Sequence, residues 1–156
     1  MNIASRTIRN LAVACCLLLA ATQPLGAQVR FETGSTDLLH QKSVQSGKLV
    51  FIDLYADWCP PCRMMEREVF SKKEVGEFME QHFVAAKYNV DQTTGRELMQ
   101  RYGSGSIPLY LVFSSDGELL GRITGATDTE TFLDNLRVIL GRTRKPESAP
   151  APGSKR

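Results

Sequence analysis

The sequence predicts an α/β fold, a central mixed β-sheet with helices on both faces. Helical and strand patterns alternate along the chain, which suits layers of helix packed on a sheet. Leu49 to Tyr55 is a continuous β-rich apolar run, of the kind buried on both faces. Ser115-Asp116-Gly117 between two apolar stretches is a hairpin signal. The chain has 156 residues, 42% apolar and 23% charged, which fits one globular domain with extensions and excludes wholesale disorder or a polytopic membrane protein.

Taken in order, Thr36 to Gln45 reads as a helix capped by Ser35 or Thr36. Leu49 to Tyr55 is the first strand. Pro60 and Pro61 suit the first turn of a helix, where their missing N–H groups are not needed, and that helix should run to about Phe70. Ser71 should cap a second stretch reaching His82, with Glu74 completing a capping box. Val84 to Asn89 is a strand. Thr94 to Tyr102 is a short helix ended by Gly103. Leu109 to Ser114 and Glu118 to Ile123 form the hairpin. Asp128 caps a last helix whose apolar face is Phe132, Leu133, Leu136, Ile139 and Leu140.

The ends read differently from the middle. Residues 1–27 carry Arg6, Arg9 and no acid, then the apolar run Leu11–Ala21, then Pro24-Leu25-Gly26-Ala27. That is the pattern of a secretory signal peptide cut before Gln28. The run is short for a membrane span, which takes about 20 apolar residues. An uncleaved anchor and lipid attachment at Cys15 are the other readings. Residues 28–141 then form one domain with 12 basic and 16 acidic residues, and 142–156 a Pro-rich basic tail expected to be disordered. Nothing in this balance asks for a nucleic-acid partner.

Removing the leader leaves only Cys59 and Cys62. Two cysteines do not make a disulfide-stapled scaffold, and His40 and His82 sit at no zinc-like spacing, so no metal is expected. Trp58-Cys59-Pro60-Pro61-Cys62 follows a strand and opens a helix. A helix N-terminus offers partial positive charge and free N–H groups, which favour a thiolate. Cys59 falls at that end and is the candidate nucleophile. Cys62, one turn on and expected to lie deeper, is the candidate resolving thiol. A metal half-site and a plain structural disulfide are the bland alternatives. Asp53, six residues before Cys59 in the apolar run, is a candidate buried carboxyl with a raised pKa that takes the proton of Cys62. Trp58 is a candidate part of an apolar substrate surface. Met64 and Met65 read as packing, Arg63 as a solvated charge, and Gly103-x-Gly105 follows a helix and carries no nucleotide signal.

Asp53-Leu54-Tyr55-Ala56-Asp57-Trp58-Cys59-Pro60-Pro61-Cys62 resembles the active-site stretch of the thioredoxin superfamily. Phe70-Ser71-Lys72-Lys73-Glu74-Val75 and Arg122-Ile123-Thr124-Gly125 through Glu130-Thr131-Phe132 resemble one branch of it, the thioredoxin-like C-terminal domains of DsbD-type disulfide-interchange reductases. The likeness covers Lys48 to Leu140. It departs at the inter-cysteine pair, Pro60-Pro61, where thioredoxin has Gly-Pro and the DsbD domains have non-proline residues. The resemblance implies a thioredoxin fold and a cis peptide before Pro108 that, with Ile107, positions substrate backbone beside Cys59. It also implies a proton role for Asp53 and a charge-tuning Lys87 paired with it.

The function expected is that of an exported, periplasmic thiol–disulfide oxidoreductase that reduces disulfide-containing protein substrates. It would be recharged by a membrane-embedded thiol donor and need no bound cofactor, because the dithiol itself carries two electrons. The alternatives are a disulfide oxidase or isomerase, and a metal-binding or adaptor module.

Overall fold

The computed structural model describes residues 28–103 and 105–143; the expected leader and the tail beyond Thr143 lie outside the described residues. The elements are α1 (Thr36–Ser46), β1 (Leu49–Tyr55), α2 (Pro60–Met65) running into a π-helical turn (Glu66–Phe70), α3 (Lys73–His82), β2 (Phe83–Asn89), α4 (Thr93–Tyr102), β3 (Leu109–Phe113), β4 (Leu119–Thr124) and α5 (Thr129–Thr143). This is the thioredoxin fold. No helix among the described residues is long and apolar enough to cross a membrane.

The sheet order is β2-β1-β3-β4. β1 and β2 run parallel, joined by the α2–α3 crossover, while β3 lies antiparallel to both β1 and β4. The apolar run of β1 is thus one of the two inner strands, and five of its seven residues are buried. One sheet face carries Phe51, Ala85, Tyr110, Val112 and Ile123 against Met65, Val69, Phe70, Val75, Phe132 and Leu136. The other carries Val50, Ile52, Leu54, Val84, Ala86, Leu109 and Leu111 against Leu39, Leu98 and Met99. So α2, α3 and α5 cover one face, and α1 and α4 the other. Each fully buried Leu, Ile or Phe contributes roughly 1.5–3 kcal/mol of burial free energy.

The hairpin closes as the sequence suggests. Ser114 N–H donates to the Glu118 carbonyl at 2.9 Å and Gly117 takes φ +90°, a conformation only glycine adopts freely. Asp128 caps α5, its Oδ1 accepting from Thr131 N–H at 2.9 Å. That helix continues through Arg142 to Thr143, past the expected end of the domain.

One local expectation fails. Ser71 and Glu74 form no capping box: Ser71 Oγ donates instead to the Arg67 carbonyl at 2.6 Å, and α3 starts from Lys72 with no side-chain cap. The cause is the π turn, which carries the preceding helix through Phe70 and leaves Ser71 as a closing residue of that turn. Residues 28–32, for which the sequence pattern predicts no element, also join the fold. Glu32 N–H donates to the Ala85 carbonyl at 2.7 Å and Glu32 bridges Ala86 in parallel, adding a short segment outside β2. Val29 N–H donates to the Phe70 carbonyl at 2.9 Å, and its side chain joins the core. Gly76 permits this approach, since a Cβ there would lie 2.8 Å from the Gln28 backbone.

Candidate active site

The β1–α2 junction builds the site. Cys59 is the N-cap of α2, with Pro60 and Pro61 filling the first helical positions. Cys62 N–H donates to Cys59 Sγ at 3.2 Å, and Arg63 N–H to the Cys59 carbonyl at 3.3 Å. Two prolines remove two amide donors, so the Cys62 amide is the first helical N–H able to serve the Cys59 sulfur. The two cysteines are joined as a disulfide, with S–S 2.08 Å and Cα–Cα 5.4 Å.

The expected difference in depth is absent in this oxidised form. Cys59 is 2% exposed and Cys62 5%, because the bridge draws both sulfurs against Ala56, with Tyr55, Val90 and Ile107 packed over them. What separates the two sulfurs is electrostatic: Cys59 Sγ receives a helix N–H. The Ile107–Pro108 peptide is cis, and Ile107 lies against the dithiol cluster. Trp58 is 65% exposed, and its Nε1–H donates to Asp91 Oδ2 at 2.8 Å. Its indole is therefore a surface group and not part of the core.

Asp91 belongs to a small polar brace. Asp91 N–H donates to Asn89 Oδ1 at 2.9 Å, and Asn89 Nδ2 donates to Asp57 Oδ2 at 3.0 Å. Arg63 Nη1 donates to the Asp57 carbonyl at 2.6 Å. The end of β2 thereby holds the Asp57–Trp58 loop. Gly95 lets α4 pack on this end, because a Cβ there would lie 2.1 Å from the Asn89 carbonyl oxygen. Gly95→Ala gains about 1 kcal/mol of helix propensity, but the clash with backbone costs about 1–3 kcal/mol. Urea unfolding should show a net loss of stability.

Asp53 is 3% exposed, in register with Lys87 on β2 and Tyr110 on β3. Its Oδ1 has no hydrogen-bond partner among the described residues. Burial pushes its pKa up to about 7, opposed by the Lys87 ammonium and reinforced by the Glu66 carboxylate. The expected pairing of Lys87 with Asp53 is not the one formed. Lys87 Nζ makes its ion pair with Glu66, on the π turn, and lies 4.6 Å from the Tyr55 ring centroid. Burial draws the Lys87 pKa down, and the Glu66 contact outweighs it, so the net direction is upward. Lys87 acts on Asp53 through space alone. The reason is reach: a lysine beside Asp53 on a sheet edge extends to solvent, where the π turn presents Glu66. Sequence reasoning missed Glu66; its position one turn after Cys62 was the available signal.

Residues 39–139 match the thioredoxin-like domain family. A thiol:disulfide interchange protein DsbD from a Pseudomonas species is 38% identical over 90 residues, which is 56% of this chain and 16% of the relative. A DsbD from Ralstonia nicotianae is 30% identical over 128 residues, 78% of this chain and 21% of the relative. The chain thus spans about a fifth of the length of these curated relatives. A putative disulphide-isomerase from Bacteroides thetaiotaomicron superimposes with a TM-score of 0.67 at 28% identity, over 74% of this chain and 95% of that one. The oxidised C-terminal domain of Neisseria meningitidis DsbD shares the fold, with a TM-score of 0.57 at 23% identity over 70% of this chain and 97% of that one. A helix-capped cysteine pair at disulfide distance and a cis-proline next to Ile107 of its cluster sit on a fold and a sequence pattern that agree: the chain belongs to the thioredoxin-like domain family and is related to DsbD.

Proposed function

We propose that this chain is an exported thiol–disulfide oxidoreductase that works in the reducing direction on protein disulfides. The observation that carries thiol–disulfide exchange is the Cys62 amide directed at Cys59 Sγ within a closable dithiol pair; the reducing direction rests on the likeness to DsbD. In the reduced protein that N–H and the helix N-terminus favour a Cys59 thiolate. The thiolate attacks a substrate disulfide, forming a Cys59–substrate bond and expelling a substrate thiolate. Asp53 takes the proton of Cys62. The Cys62 thiolate then attacks Cys59 Sγ, the Cys59–Cys62 bond forms, and the second substrate sulfur leaves. Two electrons pass to the substrate and the enzyme is left oxidised, to be reduced again by a membrane-embedded thiol donor. Ile107 packs on the dithiol cluster, and with Trp58 and Pro108 it serves as the substrate platform. Lys87 tunes the charge of Asp53 from across the strand pair. Residues 1–27 act as a leader cleaved before Gln28, and the domain occupies 28–141.

Isomerisation is the second reading, favoured by the likeness to a putative disulphide-isomerase. Equilibration with glutathione buffers separates the directions. A reduction potential below about −200 mV supports the reductase, and one well above about −150 mV overturns that direction.

A further inference from the structure

Three buried side-chain oxygens have no hydrogen-bond partner among the described residues: Asp53 Oδ1, Tyr110 OH and Thr127 Oγ1. The first two are linked by the sheet. Asp53 on β1 and Tyr110 on β3 are directly opposed across the antiparallel pair, so both project to the same face. Tyr110 is fully buried. Its ring stacks on Phe51 at 5.7 Å and meets Phe70 and Phe132 edge-on at 5.9 and 5.4 Å. A phenylalanine would satisfy all three contacts. The hydroxyl therefore adds nothing to the packing, and an unpaired buried hydroxyl is a cost that native interiors avoid.

The carboxyl opposite it has the complementary need. Protonated, it requires little; charged, it requires donors, and burial makes that need acute. The groups facing Asp53 are few. β2 contributes Lys87, whose ammonium is committed to Glu66 of the π turn. Its own strand contributes Tyr55, which lies under that ammonium. The Glu66 carboxylate acts on Asp53 through space, and the function proposed above adds the Cys62 thiol as its proton donor. α5 and β4 present Phe132 and Ile123 to this cluster, which do not titrate. Tyr110 is the neutral donor directly opposite Asp53 across the strand pair, and burial, with the charge of Asp53, raises its pKa.

We propose that Tyr110 is a positioning residue for Asp53: its buried hydroxyl is the hydrogen-bond donor that the Asp53 carboxylate takes up, directly or through one water, when it becomes charged. The proposal rests on the role assigned to Asp53 above. Accepting the Cys62 proton and releasing it again requires both forms of the carboxyl to be tolerable. A wholly apolar surround would hold the proton too firmly for release at neutral pH.

The test is the titration of the Asp53 carboxyl carbon by NMR in the reduced full-length protein, compared with Tyr110→Phe. The expected result is a proton affinity about tenfold higher in the variant, an upward move of one pH unit in the midpoint. The pH midpoint of mixed-disulfide resolution should move with it. Site-specific replacement of Tyr110 by 3-fluorotyrosine, a more acidic donor that keeps the ring in place, should move the Asp53 midpoint down. An unchanged Asp53 midpoint in both proteins would overturn the proposal and leave Tyr110 as core packing. If the protein turned over no disulfide yet the Asp53 midpoint moved as stated, the functional reading would fail and this one would stand.

Discussion

Cys59→Ser should lower the rate of insulin-disulfide reduction by about a thousandfold or more, while Cys62→Ser should leave the first attack intact and accumulate a mixed disulfide. The asymmetry follows from geometry and not from exposure, since both residues are buried in the oxidised protein. Cys59 caps α2 and its sulfur accepts the Cys62 N–H; Cys62 sits inside the first turn. Serine at 59 can accept the same amide hydrogen bond, so the fold survives, but its hydroxyl is no nucleophile at neutral pH. Iodoacetamide labelling of the reduced protein provides an independent readout. Residue 59 should react faster at pH 6 than free glutathione, because its thiolate fraction is larger. Equal reactivity of the two, or retained turnover in Cys59→Ser, would remove the basis for the mechanism. In intact cells, Cys62→Ser should hold its substrates covalently at residue 59, where they can be identified.

The parts of this site that the sequence made legible are those set by local pattern. Leu49 to Tyr55 is apolar enough to declare an inner strand, and a Cys-x-x-Cys with prolines in its first turn declares where the next helix begins. Asp53 stood out because burial in such an apolar run raises the pKa of a carboxyl. What escaped depends on contacts between distant residues or on a departure from regular geometry. Lys87 and Glu66 are 21 positions apart, and their meeting requires both the β1–β2 pairing and the π turn. The same turn diverted Ser71 from its expected cap. Residues 28–32 are too few to show strand periodicity, and they are held by backbone bonds to Phe70 and Ala85. Tyr110, within Leu-Tyr-Leu-Val-Phe, reads as one more strand aromatic until β3 is laid beside β1.

Asp53→Asn should stabilise the protein at pH 8 while slowing its second chemical step. The carboxyl pKa rises from 3.8 to about 7 on folding, mainly through burial. The native state therefore binds this proton more tightly than the unfolded chain does. A raised acid contributes stability that is fully present below pH 3.8 and is lost as pH climbs through about 7. Across that window the loss is on the order of 4 kcal/mol for this one group. Asparagine fills the same space and cannot ionise, so the variant escapes the loss. Urea unfolding should show it more stable than the wild type by a few kcal/mol at pH 8, with the gap closing toward pH 4. The activity should move oppositely. If Asp53 is the base for Cys62, resolution of the mixed disulfide should slow by about a hundredfold or more at neutral pH. The wild-type rate of that step should rise through about pH 7, where Asp53 ionises, and the variant should lack that rise. If the two proteins were equally stable at pH 8, Asp53 would not be charged at the expense of the fold. A carboxyl that loses its proton at no cost to folding would have no elevated affinity with which to draw one from Cys62.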